Sequence, residues 1–165
     1  MALNGQTVAD MIRDALKADT TLYGTNGNRG LVNKISSSRK EFEKASVNRT
    51  NKNYALYLKA SPVAQTRVGM QIQEELYTID YRVSGYSSDL DKAYTRLAEI
   101  DKAMRDVINT QMHDGSVFTE YYTDTLATVK DVEITESSPE IAEREGSEAV
   151  EIDGSLNVFV VRLEG

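Results

Sequence analysis

The chain has 165 residues, with 19 Lys and Arg against 26 Asp and Glu, a formal charge of −7 and no cysteine. That length suits one domain able to bury about two-thirds of its unfolded surface; the absent cysteines exclude disulfide frameworks, thiolate metal sites and cysteine nucleophiles, and the negative balance argues against nonspecific binding to a polyanionic backbone. Residues 1–6 lack the basic and apolar regions of a signal peptide, and no apolar run approaches the ~20 residues that cross a bilayer, so a soluble, cytoplasmic chain is expected.

Thr7 as a cap, with Val8, Met11, Ile12, Ala15 and Leu16 on one face, predicts a short first helix that ends at Asp19 and Thr20. From Thr20 to Lys52, Gly, Asn, Ser and Thr are dense, and Leu22, Tyr23, Leu31, Val32, Ile35, Phe42 and Val47 are too scattered to form a core stripe. This segment reads as a long loop or mobile arm, with a short helix from Arg39 to Ala45 as its one element. Seven basic residues (Arg29, Lys34, Arg39, Lys40, Lys44, Arg49, Lys52) face two acids there, giving a local charge of +5.

Strand character begins at Asn53, where Tyr54, Leu56 and Leu58 alternate with Ala55, Tyr57 and Lys59, and stops at Ser61-Pro62. A second extended run, Arg67 to Gln73, places Val68, Met70 and Ile72 on one face; the two runs make either a long hairpin or one bent strand. Tyr77, Ile79, Tyr81 and Val83 then alternate with Thr78, Asp80, Arg82 and Ser84, the pattern of a half-buried strand. After Gly85, Ser87-Ser88-Asp89-Leu90-Asp91 offers hydroxyl caps and first-turn carboxylates to a helix beginning near Ser88. Its apolar stripe is Leu90, Tyr94, Leu97, Ile100, Met104, Val107 and Ile108.

His113-Asp114-Gly115-Ser116 reads as a turn, Val117 to Tyr122 is ambiguous, and Ala127 to Ile134 reads as a strand whose slipped pattern implies a bulge. An acidic arm follows, with Glu136, Glu140, Glu143, Glu145, Glu148, Glu151 and Asp153 against Arg144 alone, a local charge of −6. Asp153-Gly154-Ser155 is read as a turn into a last strand. There Leu156, Val158 and Val160 alternate with Asn157, Phe159 and Val161, making both faces apolar and the strand central.

None of these segments carries a catalytic constellation. Gly24-Thr25-Asn26-Gly27-Asn28-Arg29-Gly30 lacks the Lys-Ser/Thr pair of a phosphate loop and the carboxylates of a calcium loop. Asn48-Arg49-Thr50 is a glycosylation sequon only in a secreted chain. His113, the sole histidine, has no nucleophile and orienting acid beside it, and Glu75 with Asp80 reads as a solvated sheet face rather than an acid/base pair. Tyr54, Tyr57, Tyr77, Tyr81, Tyr86, Tyr94, Tyr121 and Tyr122 suit half-buried surfaces that a partner covers, Tyr77 and Tyr81 suiting a core equally well.

The order helix, long loop, strands, then Tyr77-Thr-Ile-Asp-Tyr-Arg-Val-Ser-Gly-Tyr86 running into Ser88-Asp-Leu-Asp91 and an amphipathic helix, closing with Asn157-Val-Phe-Val-Val-Arg-Leu163, resembles the tail terminator (tail completion) proteins of long-tailed bacteriophages. The resemblance is one of element order and covers about residues 5–18, 53–109 and 155–163; residues 20–52 and 136–153 stand as insertions. It implies an α/β fold of α+β type, with helices on one side of a mixed or mostly antiparallel sheet and long loop insertions. It also implies a hexameric ring that caps the tail tube, stops its polymerisation and docks the head or neck connector. The implied partners are further copies of the chain, the tube protein, the connector and, on a contractile tail, the sheath. DNA would pass through the ring without specific binding, no membrane is involved, and the chain would be found in the host cytoplasm during assembly and then in the virion tail or neck.

No catalytic, cofactor-binding or metal residue is carried over, and no cofactor is expected. Arg29, Lys34, Arg39, Lys40 and Lys44 are the interface candidates on the basic arm; Glu140, Glu143, Glu145 and Glu148 are their counterparts on the acidic arm, since opposite patches on one chain favour head-to-tail contact between copies. The basic arm is expected to be mobile in a free subunit and to order against a neighbour's acidic arm. The alternatives are another connector or neck protein, the tube subunit itself, or, from a different class, a small acidic enzyme using carboxylates.

Overall fold

The computed structural model describes residues 3–24, 30–45, 54–86, 89–112, 127–135, 139–144 and 147–163. Two long strands set its frame. Strand β4 (Ile72–Tyr86) pairs antiparallel with β7 (Ser147–Leu163) in unbroken register from Ile72↔Leu163 to Tyr86↔Ala149. At a rise of about 3.4 Å per residue the ladder is about 50 Å long.

The columns on either side are each interrupted. β2 (Ala55–Ala60) and β3 (Ala64–Arg67) follow one another along the free edge of β4, at Ala60↔Ile79 and then Ala64↔Leu76. The break between them falls at Ser61-Pro62-Val63, where Pro62 has no N–H to give to a ladder. On the outer edge of β7, β5 (Ala127–Ile134) pairs with residues 156–162 and β6 (Pro139–Arg144) with residues 147–152. The short β1 (Lys34–Ser36) adds parallel to β2, so the sheet runs β1-β2-β4-β7-β5 with one parallel pair. The fold is α+β on a mixed, mostly antiparallel sheet.

Helix α1 (Gly5–Lys17) buries Val8, Ile12 and Leu16, and α3 (Leu90–Val107) buries Leu97, Ile100 and Met104. Both lie on the sheet face that carries Leu56 and Leu58, Tyr77 to Val83 in alternation, and Leu156, Val158 and Val160. α3 continues into a π-helical turn, Ile108–Met112, whose Ile108 is buried in the same core. The third helix, α2 (Arg39–Ala45), departs from the one-sided arrangement. Its Phe42 joins Ala55 and Tyr57 in a separate small cluster; these strand residues alternate with core-facing Leu56 and Leu58, so α2 covers the opposite face.

Several expectations are corrected. The cap of α1 is Asn4, whose side chain accepts the Thr7 N–H at 2.9 Å, and that of α3 is Asp89, which accepts from Asp91 and Lys92. The described part of this segment, residues 20–24 and 30–45, is not a loop without a core: Leu22, Val32 and Ile35 are buried with the α1 side chains, and Tyr23 bridges to Val32. Three isolated anchors hold this segment where a continuous stripe is absent. The acidic arm is in large part the β6–β7 hairpin, its backbone paired from Pro139↔Ile152 to Arg144↔Ser147. Residues 68–71 form the turn of the β3–β4 hairpin, closed by Val68 N–H on the Ile72 carbonyl at 3.0 Å, rather than a strand face. The bulge foreseen in β5 falls between Val129 and Asp131, and β7 is central as foreseen.

Asp153-Gly154-Ser155 lies inside β7 and is no turn, for a packing reason. Gly154 is the register partner of Tyr81, and a Cβ there would stand 2.4 Å from the Tyr81 hydroxyl oxygen. The buried ring lies across the glycine. Val47, the sequon at Asn48, Ser87, Ser88, His113 to Tyr122 and Glu136 fall outside the described residues.

Leu97→Ala, at a site with no exposure, should cost ~2–5 kcal/mol in urea unfolding, while exposed Arg96→Ala should be near neutral. Gly154→Ala should cost ~1–3 kcal/mol, because Tyr81 is itself locked in the core and cannot swing aside. A neutral Gly154→Ala would show that the ring is free to move.

Candidate assembly surface

Strand parity assigns every side chain of the central ladder to one face, and among the described residues no element beyond α2 packs on the face opposite α1 and α3. At the α2 end it is polar and internally paired. Arg82 donates to Asp153, its register partner, at 2.7 Å and to the Phe42 carbonyl at 3.5 Å. The Phe42 ring lies between two cations, with Lys59 Nζ at 4.8 Å and the Arg82 guanidinium at 4.7 Å from its centroid. Asp80 accepts from Ser61 at 3.1 Å and Ser155 at 2.9 Å.

At the other end the same face is mostly apolar, interrupted by the exposed carboxylate of Glu74. The register pairs Leu76↔Phe159, Glu74↔Val161 and Ile72↔Leu163 lead to the β3–β4 turn, where Met70 is 93% exposed and Val68 58%. These exposed apolar side chains lie at the tip of the β4–β7 ladder.

Glu75 and Asp80 differ in parity and therefore stand on opposite faces of the sheet, which rules out their joint action as an acid/base pair. The reading of Glu75 as solvated is also corrected. It is buried, ion-paired to Arg162 and hydrogen-bonded by the Tyr77 hydroxyl, while Tyr77 and Arg162 both reach the Leu3 carbonyl, at 3.3 and 3.4 Å. A buried carboxylate is tolerable because it is paired. The cluster ties the N-terminal segment to the ends of β4 and β7.

The basic candidates divide. Lys34 donates to Glu41 at 2.6 Å, and Arg39 pairs with Glu43 at 3.2 Å. The Glu41 bond raises the Lys34 pKa, while hydrogen bonds from Lys34 and Ser36 lower that of Glu41. These cations are engaged within the chain. Lys40 and Lys44 stand exposed on α2, and Arg29 lies outside the described residues. Of the acidic candidates, Glu140 and Glu143 fall on β6 and Glu148 on β7, with Glu143 and Glu148 in register, whereas Glu145 is outside the described residues. The basic segment therefore borders β1 and β2, and the acidic hairpin borders β7, at opposite edges of the sheet. The apolar tip went unread in the sequence, although Gly69 between Val68 and Met70 was the signal for a turn.

A polar cleft of about 440 Å³ lies between α1 and the β1–α2 connection. Ser37 donates to Asp10 at 2.6 Å there and accepts from Arg13 at 2.8 Å, so its polar groups satisfy one another. Among the described residues no cluster of three His, Cys, Asp or Glu could hold a metal ion, and no helix is long and apolar enough to cross a membrane.

No protein-family model matches the chain, and no curated protein matches it. Among solved structures, a chain of the "Virion of native gene transfer agent (GTA) particle" is similar with a TM-score of 0.39 and 12% identity, over 96% of this chain and 95% of that one. Similarity at that level establishes neither a shared family nor a shared role.

Burial, with the Glu75 hydrogen bond second, pushes the Tyr77 pKa up to about 12 from the ordinary value near 10. The unfolded chain therefore loses this proton before the folded chain does, and the contribution is complete below pH 10 and lost as the pH rises through about 12. Tyr77→Phe should make the alkaline loss of stability shallower than in the parent chain. Equal slopes from pH 10 to 12 would place the hydroxyl in solvent.

Proposed function

We propose that this chain is a virion structural subunit of a phage-type particle and, within that class, a ring-forming tail terminator. The observation that carries the assembly reading is the charge polarity of the sheet: a basic β1–α2 segment borders one edge and an acidic β6–β7 hairpin the other. A surface that is complementary to a different surface on the same molecule makes head-to-tail contacts, which close into a ring when the rotation allows. The terminator reading rests on element order, which stands in the fold as α1, β2 to β4, α3 and β7.

Such a ring works without chemistry. One face of it mimics the next layer of the tube and binds the tube end; the other differs, denies the next tube subunit a site and meets the connector. On this reading the protein is not an enzyme, and its partners are its own copies, the tube protein, the head or neck connector and, on a contractile tail, the sheath. Assembly takes place in the host cytoplasm, and the finished subunit resides in the tail or neck.

Native mass spectrometry at high concentration, or in the presence of sheared tails, should show one closed oligomer, a hexamer on the family reading. Electron micrographs should place it at tube ends. Open polymers of indefinite length would favour a tube subunit, and isologous dimers as the sole assembly would sink the ring.

A further inference from the structure

We infer that β6 is a detachable strand, whose pairing with β7 is weakened by its own charge and tightened when that charge is screened or neutralised. The observation is one of register. Four pairs of charged residues stand directly opposite each other in the described ladders, and two of them, Lys59↔Asp80 and Arg82↔Asp153, join opposite signs within the body of the sheet. The other two, Glu140↔Glu151 and Glu143↔Glu148, join like signs, and both belong to the β6–β7 pair. Opposite charges across two strands support their pairing, whereas like charges weaken it.

Parity separates the two like pairs. Glu143 and Glu148 fall on the side of the sheet that carries buried Ile152, and Glu140 and Glu151 on the side that carries Asp153, so β6 meets an opposed glutamate on each face. From residue 139 to residue 152, five glutamates stand against Arg144 alone, and Arg144 lies opposite Ser147 rather than an acid.

The strand is also held on one edge only. Among the described residues β6 pairs with β7 and with no other strand, while β7 keeps its second neighbour, β4, as far as Tyr86↔Ala149. β6 can therefore part from β7 without opening the central ladder, a local event that costs less than global unfolding. On the ring reading, a neighbour's cations do for the docked hairpin what salt does for the free one, so docking and β6 pairing are coupled. That consequence rests on the ring, and the response of the free chain does not.

Amide hydrogen exchange of the free chain is the test. At about 10 mM salt, protection at residues 140–144 should fall below that at residues 77–83 and rise about 1.5- to 5-fold in about 0.5 M sodium chloride. Glu143→Gln and Glu148→Gln should each give a gain of the same order at low salt. The double substitution should gain less than the product of the two, because either one alone removes the opposed pair. Glu133→Gln makes the same charge change opposite Asn157 and should leave β6 unaltered.

Protection at residues 140–144 that is unchanged by salt, or unchanged or lower in both Glu143→Gln and Glu148→Gln, would overturn the inference. So would an equal gain from Glu133→Gln, which would show net charge at work in place of the opposed pair. A chain that closes into rings and gives either result would overturn this inference alone and leave the ring reading intact.

Discussion

The unbroken ladder between β4 and β7 is the constraint on which the rest of the molecule depends. Side chains in a strand alternate strictly, so fifteen residues paired without a slip allot each position irrevocably to one of two faces. Tyr77, Ile79, Tyr81 and Val83 on one strand, with Leu156, Val158 and Val160 on the other, make a single apolar surface that α1 and α3 must cover. Irregularities are expelled to the outer columns. The Pro62 interruption separates β2 from β3, and on the other side Thr135 bonds Ser155 through backbone and hydroxyl where β5 leaves the ladder. The concessions inside the ladder are two glycines: Gly154 gives the Tyr81 ring room to lie across the strand, and Gly85 does the same for the Tyr54 ring.

The same parity builds the outer face as a gradient. Near α2, cross-strand pairs such as Arg82 with Asp153 and Asp80 with Ser155 satisfy one another, and Phe42 is held between two cations. Exposed pairs of this kind add little to stability; they fix α2 on the sheet and leave the surface wet. Toward the tip the pairs become Leu76 with Phe159 and Ile72 with Leu163, and no described helix covers them. The core is thus completed on one side by α1 and α3, while on the other Ile72, Phe159 and Leu163 stand exposed among the described residues.

What could be read from residues alone follows from how local each signal is. The alternation from Tyr77 to Val83, the stripe through Leu97, Ile100 and Met104, and the slip between Val129 and Val132 are short-range patterns that stand in the fold, except that Tyr94, read into the stripe, is exposed while its neighbour Ala93 is buried. Elements held by distant partners were hidden. Leu22, Val32 and Ile35 are single anchors whose burial depends on α1, and the glutamate-rich β6 is a strand only because β7 runs far enough past Ser155 to pair with it. Glu75 continues the core parity of Tyr77 two residues earlier, but its burial could not be inferred without Arg162, 87 residues away, to neutralise it. Glycine misled in both directions: Gly154 sits within a strand, and Gly69 turns a run read as extended.

The candidate charges illustrate a related difference. Lys34 and Arg39 carry the sign an interface with an acidic hairpin needs, yet each is matched by a glutamate of its own segment, Glu41 and Glu43, so the net positive charge that faces outward on α2 narrows to Lys40 and Lys44. Screened charges at the rim of a contact act mainly on encounter and orientation, whereas apolar area buried at its centre acts on how long a contact lasts. In the head-to-tail ring proposed above, opposite edges act on the encounter between copies, at a rate that salt lowers. A single interface made this way can be weak while the closed ring persists, because release of one subunit then requires two contacts to open together.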